Sequence, residues 1–308
     1  MATQKWTTAQ IPALTGKTIV VTGGNSGLGY ECVKTFAQKG AEVIMASRSI
    51  KNGEEAKAKI IAGDPSCKIV VMELDLMDLT SIKNFATAFK NHYSQLDVLM
   101  NNAGIMTTPY NKTKDGFESQ IGTNHLGHFA LTGLLLKILK LTPNSRIVTT
   151  SSMAHKQGTM DFSNLLFDKG KGYTPIKSYS RSKLANLLFT YELQRRLNAH
   201  NINTIAVAAH PGVAQTNLAR HIDGKWWFKL MLPLLKVMTH DSAHGALPQI
   251  RAAVDHNVKG GEYYGPNGLY EMTGIPVLVK SNKASHSLID AIKLWEKSEE
   301  LVGITYNF

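Results

Sequence analysis

Lys17-Thr-Ile-Val-Val-Thr22-Gly23-Gly-Asn25-Ser26-Gly27-Leu28-Gly29 is the stretch that decides the fold of this chain. Residues 17–22 are a short β-branched run, the composition of a strand buried on both faces in a parallel sheet. The glycine turn leads directly into Leu28, Cys32, Val33, Phe36 and Ala37 at helical spacing. Strand, glycine turn and helix in that order make a cradle for phosphate. The glycines let the backbone approach a pyrophosphate closely. The helix start offers it unpaired N–H groups and a positive dipole end. The spacing is Gly-x-x-x-Gly-x-Gly.

Strand-like runs recur at 17–22, 41–46, 68–74, 96–101, 145–150 and 202–209, each followed by an amphipathic helical pattern. A further strand is expected near 275–280. Strand alternating with helix predicts an α/β fold, a parallel sheet covered by helices on both faces. No Pro/Gly/Ser-rich linker, repeat or low-complexity tract divides the 308 residues, so 1–308 reads as one domain. A 43% hydrophobic, 19% charged composition is that of a globular enzyme with a full core.

Two cysteines, Cys32 and Cys67, are too few for a disulfide framework, and Cys32 falls on the apolar face of the first helix. No Cys/His cluster has metal-ligand spacing. The first ten residues lack an apolar signal core, and a reduced, cytoplasmic compartment is the default expectation. The formal net charge of +11 comes from scattered lysines with no basic run, which argues against nucleic acid. Peripheral attraction to an anionic membrane surface stays open, as does a homodimer.

Tyr179-Ser-Arg-Ser-Lys183 places a phenol and an ammonium one turn apart on a helix that continues through an apolar run. A free phenol titrates at about 10, and a neighbouring cation favours the phenolate. That tuning suits a proton exchanger working near neutrality. His125, His128 and His155 lie close to the polar positions of interest and read as packing or pocket-lining residues.

Together these motifs resemble the short-chain dehydrogenase/reductase family over about residues 14–274, and the resemblance implies a Rossmann-type doubly wound sheet. Thr22 to Gly29 is similar to its cofactor turn, with Gly23, Asn25, Ser26, Gly27, Leu28 and Gly29 against the dinucleotide. Asp75-Leu76 is similar to its adenine-pocket pair, and Asn101-Asn102-Ala103-Gly104 to the motif closing its fourth strand. Asn124, Ser152, Tyr179 and Lys183 match its catalytic tetrad. His210-Pro211-Gly212-Val213-Ala-Gln-Thr216 matches its loop over the nicotinamide. Residues 123–129, 146–155 and 179–186, with the closing 294–303, resemble the retinol-dehydrogenase-like branch. Ser152 and Tyr179 stand 27 positions apart, more than in compact members. The branch carries a similar insertion, and Ser151 is the alternative to Ser152. Segment 153–178 reads as a long loop beside the site.

The resemblance implies hydride exchange between a nicotinamide and a carbinol or carbonyl carbon. Tyr179 then exchanges the proton, and Lys183 lowers its pKa and binds the nicotinamide ribose. Ser152 donates to the substrate oxygen, and Asn124 holds a water that links Lys183 to solvent. At the end of the second strand stand Ser47 and Arg48 where an acidic residue would repel a 2′-phosphate, so NADP(H) is expected. Segment 215–240, with Trp226-Trp227-Phe228, is too short and too interrupted by Lys229, Pro233 and Lys236 to span a membrane. It is expected to be an apolar lid over a lipophilic substrate, against the alternatives of a core helix or an interfacial anchor. Two other functions stay open: a light-dependent tetrapyrrole double-bond reductase and a non-catalytic NADPH-binding regulator.

Overall fold

The computed structural model describes residues 6–213 and 241–308. The chain alternates β1 (Thr18–Thr22), α1 (Gly27–Gln38), β2 (Glu42–Ser47), α2 (Ile50–Gly63), β3 (Lys68–Glu73), α3 (Leu79–His92) and β4 (Val98–Asn101). A short α4 (Ser119–Ile121) runs through a π-helical turn, Gly122–Leu126, into α5 (Gly127–Leu141). Then come β5 (Arg146–Thr150), α6 (Pro175–Ala199), β6 (Ile205–Ala209), α7 (Ser242–Val254), β7 (Tyr263–Pro266), β8 (Pro276–Leu278) and α8 (Leu288–Val302).

The sheet order is β3-β2-β1-β4-β5-β6-β7-β8. Every pairing is parallel except β7 with β8. Strand order reverses between β1 and β4, and the crevice at their carboxyl ends is where such a sheet binds ligands. The strands alternate between two cores. Ile19 and Val21 of β1 pack with Val33 and Phe36 of α1 and Ile250 of α7. Val20 packs with Phe85 and Phe89 of α3, Phe129 of α5 and Trp295 of α8 on the other face. Residues in β1 are buried throughout, which is why its sequence is a continuous apolar run rather than an alternation.

One boundary needs correction, and the strand near 275–280 is present with a neighbour its sequence does not announce. The run 202–209 contributes only Ile205–Ala209, because Asn201 adopts a left-handed turn (φ +54°) that delays the strand. The strand near 275–280 is antiparallel at the sheet edge, and the parallel neighbour of β6 is instead Tyr263–Pro266. Its Tyr-Tyr-Gly-Pro sequence reads locally as a turn, since Gly and Pro are both strand-averse. Burial of all four residues overrides that preference.

Segment 153–174 is a loop built from three 3₁₀ turns, and α6 begins at Pro175 with Thr174 as its N-cap. Arg181 pins this loop to α6. Its guanidinium lies 4.1 Å over the Phe167 ring and donates to the carbonyls of Asn164 (2.7 Å), Leu165 (2.9 Å) and Thr159 (3.1 Å). Among the described residues no helix is long and apolar enough to cross a membrane, and no His/Cys/Asp/Glu group could hold a metal ion. The apolar segment 215–240 lies outside the described residues.

Candidate active site

The carboxyl ends of β1, β2, β3 and β4 surround a cleft of about 1060 Å³. Its walls bring together Gly23, Asn25, Ser26, Gly27, Leu28 and Gly29 from the glycine turn, and Ser47 and Arg48 after β2. Asp75, Leu76, Asn102, Ala103 and Gly104 complete them. Gly23 and Gly27 have positive φ (+65° and +54°), so the turn needs residues without a Cβ. Gly29 is excluded for a different reason. A Cβ there would lie 2.3 Å from the Gly23 carbonyl oxygen and 2.6 Å from Asn102 Nδ2.

Ser26 stands at the N-cap of α1 without a side-chain bond to the helix, which leaves N–H groups at the helix start for an anion. Arg48 is exposed at the cleft wall, and no carboxylate stands at positions 46–48. The Ser47 hydroxyl donates to the Ser49 carbonyl at 2.9 Å, so its own proton is engaged. The cleft's size and its uncapped helix end fit a dinucleotide, and Arg48 stands in the wall.

The Asn102 amide is turned inward. It donates to the Thr22 carbonyl (2.8 Å) and accepts from Gln249 of α7 (3.0 Å). The Thr22 hydroxyl accepts from the N–H groups of Asn102 and Ala103, both at 2.9 Å, and so ties β1 to the turn after β4.

Asn124, Ser152, Tyr179 and Lys183 are not in the wall of this cleft, but Asn124 and Lys183 adjoin it at Gly104. A Cβ on Gly104 would lie 3.0 Å from Asn124 Oδ1 and 3.7 Å from Lys183 Nζ. On α6, Tyr179 and Lys183 share a face as their spacing requires, with Nζ 5.7 Å from the phenol ring centroid. Lys183 Nζ donates to the Thr150 carbonyl at the end of β5 (3.0 Å), which the Asn186 amide also reaches.

The expected effect of Lys183 on Tyr179 is absent from the protein by itself. Burial pushes the Tyr179 phenol up, against a lowering contribution from the Ser152 hydroxyl. Burial also pulls Lys183 down to about 8. Desolvation penalises both charged forms, and the ammonium is directed to Thr150 rather than to the phenol. Tyr179 is therefore a neutral phenol at pH 7, the form that gives up a proton.

Ser152 caps the 3₁₀ turn Met153–Gln157, accepting from Ala154 N–H at 3.2 Å, and its hydroxyl also lies within hydrogen-bonding reach of the Tyr179 phenol. Ser151 is spent differently, donating to the Lys183 carbonyl at 2.8 Å. Asn124 sits in the π-helical turn. Its side chain grips the backbone of Ile105, accepting from N–H (2.9 Å) and donating to C=O (3.0 Å), and also donates to Ser182 (2.9 Å). Both amide protons of Asn124 are engaged, so a water bridging to Lys183 would have to donate to Oδ1 or to the main-chain carbonyl of Asn124.

That carbonyl faces His128 Nδ1 at 3.1 Å, and His128 Nε2 faces the Thr22 hydroxyl at 2.9 Å. A carbonyl only accepts, so Nδ1 carries the proton. Burial holds the ring neutral, with its pKa at about 4, so Thr22 donates to Nε2. His128 thus joins the glycine-turn strand to the helix carrying Asn124. Only its i+4 position from Asn124 hints at this in the sequence. Glu118 was likewise not anticipated. It is fully buried, accepts from the N–H groups of Gln120 and Ile121 at the start of α4, and accepts from Ser178 beside Tyr179 (2.6 Å).

The turn Pro211-Gly212-Val213 follows β6 and is not in the cleft wall. Gly212 has φ +70°, and Val213 N–H donates to the Met272 carbonyl at 2.9 Å. Thr216 lies outside the described residues.

A doubly wound sheet with a phosphate cradle at the switch point, beside a buried Tyr and Lys, defines a nucleotide-binding oxidoreductase fold. The short chain dehydrogenase pattern matches residues 17–165. Human retinol dehydrogenase 12 is 37% identical over 302 residues, covering 97% of this chain and 90% of that protein. Human retinol dehydrogenase 11 is 44% identical over 246 residues, or 79% and 75% of the two chains. The solved structure of an uncharacterised protein from Mycobacterium paratuberculosis matches with a TM-score of 0.82 and 41% identity, covering 99% of this chain and all of that one. The chain belongs to the short-chain dehydrogenase family, in its retinol-dehydrogenase-like branch. It is an NAD(P)-dependent oxidoreductase.

Proposed function

We propose that the protein is an NADP(H)-dependent carbonyl reductase and alcohol dehydrogenase acting on a lipophilic carbonyl: retinal-like, steroid or long-chain aldehyde or ketone. One observation carries the reading: the Tyr179 phenol interacts with the Ser152 hydroxyl and lies 5.7 Å from Lys183 Nζ, and Lys183 borders Gly104 in the cleft wall. The glycine turn and Arg48 would hold NADPH, which would supply the hydride. Ser152 donates a hydrogen bond to the substrate oxygen and stabilises the charge that develops there. Tyr179 gives its proton to the same oxygen. Lys183 would hold the nicotinamide ribose when the cofactor is bound. Asn124 fixes the loop after Gly104 by gripping Ile105.

The lipophilic substrate rests on the names of the two human relatives and on the apolar composition of the run Trp226 to Met238. The test is NADPH oxidation against a chain-length series of aldehydes and retinal. Tyr179→Phe should lower turnover by about a hundred-fold or more, the scale of general acid catalysis, with NADPH affinity nearly unchanged. A Tyr179→Phe protein that kept most of its activity would require a different acid. NADPH binding without any carbonyl turnover by the parent would favour a regulator.

A further inference from the structure

His210 ends at the turn Pro211-Gly212-Val213, and its Nδ1 accepts from the Gly212 N–H at 3.2 Å. In the neutral ring the proton then sits on Nε2. Nε2 faces Glu271 Oε2 at 3.2 Å, poorly aligned for a hydrogen bond but close enough for electrostatic attraction. The other carboxylate oxygen lies 3.6 Å from Lys156 Nζ. Lys156 belongs to the 3₁₀ turn that Ser152 caps. One carboxylate therefore spans the segment carrying Ser152 and the turn after β6.

The loop that holds Glu271 also supports that turn directly. Val213 N–H bonds to the Met272 carbonyl, and a Cβ on Gly212 would lie 2.2 Å from the same oxygen. Across from it, a Cβ on Gly265 would lie 2.0 Å from His210 Nε2, so β7 packs directly against the ring at a position only glycine fits. Glu271 itself has φ +59° and follows Tyr270 at φ +50°. Glycine is the residue for that region, and a side chain kept there at a cost in stability points to a use for the side chain.

We propose that Glu271 is a positioning residue: its carboxylate couples the Ser152 turn, through Lys156, to the Pro211-Gly212 turn, through His210. By favouring the proton on Nε2 it keeps Nδ1 available to the Gly212 N–H. The inference rests on the reading of Ser152 as the donor to substrate. Glu271→Gly tests it well, because it removes the carboxylate while relieving the left-handed backbone. The melting temperature should equal or exceed that of the parent, and kcat for carbonyl reduction should fall about tenfold or more. Glu271→Gln, which keeps an acceptor for His210 and loses the charge toward Lys156, should recover part of that loss. Nitrogen-15 spectra of the imidazoles should show His210 as the Nε2-protonated tautomer in the parent and a mixture in Glu271→Gly. Parental kcat in Glu271→Gly, or an unchanged tautomer, would overturn the proposal. If the parent itself reduces no carbonyl, the functional reading falls, and the tautomer comparison still decides the role of Glu271.

Discussion

Acid should loosen this protein in a narrow and calculable window, because two buried histidines are held neutral. His125 bonds through Nε2 to Ser298 at 2.8 Å and packs against Phe129 and Phe189, and burial pulls its pKa to about 3, with the His128 charge adding to the shift. His128 is pulled to about 4 by burial, opposed by its bond to the Asn124 carbonyl and assisted by the Lys183 charge. In the unfolded chain both titrate near 6.5. Above that pH both states are neutral and the stability is fully present. As pH falls through 6.5 the unfolded chain takes up protons that the folded protein refuses, so stability is lost until the folded values are reached.

At pH 5 each histidine costs about 2 kcal/mol, hence roughly 4 kcal/mol for the pair, a large share of a typical 5–15 kcal/mol. That corresponds to a fall in Tm of about 6 °C for a chain of this length. Calorimetric melts from pH 7.5 to 5 measure it. His125→Phe keeps an aromatic ring in the cluster and removes one titration, so its loss between pH 7 and 5 should shrink by about 2 kcal/mol. His125→Phe with the parent's full acid loss, or a parent Tm that does not move, would refute the reasoning.

Arg48→Asp should raise the NADPH dissociation constant tenfold or more while improving NADH binding, because a charge-assisted bond of about 1.5–3 kcal/mol becomes a repulsion. Titration calorimetry with both cofactors checks this, and tighter NADH binding by the parent would contradict it. Gly29→Ala forces a Cβ to 2.3 Å from the Gly23 carbonyl. The glycine turn must open, and NADPH binding should be lost with destabilisation of about 1–3 kcal/mol. A parental dissociation constant for that variant would show that the turn is not the cradle.

The pattern from Lys17 to Gly29 carried the fold because each of its signals is local. Burial on both faces makes β1 uniformly apolar, and a phosphate cradle demands glycines within one turn of a helix start. The Tyr179–Lys183 pair was legible for the same reason, since helical geometry alone puts i and i+4 on one face. Tertiary packing decided the rest. The charge state of Tyr179 depends on water excluded by distant segments and on a Thr150 carbonyl that steers Lys183 away. Tyr263–Pro266 became a strand only because β6 stood beside it to be paired. The couplings of His128 to Thr22, Glu118 to Ser178 and Glu271 to His210 join residues 106, 60 and 61 positions apart. A sequence states which groups a chain carries, but desolvation and long-range contact set their protonation and partners, and both exist only once the sheet has closed.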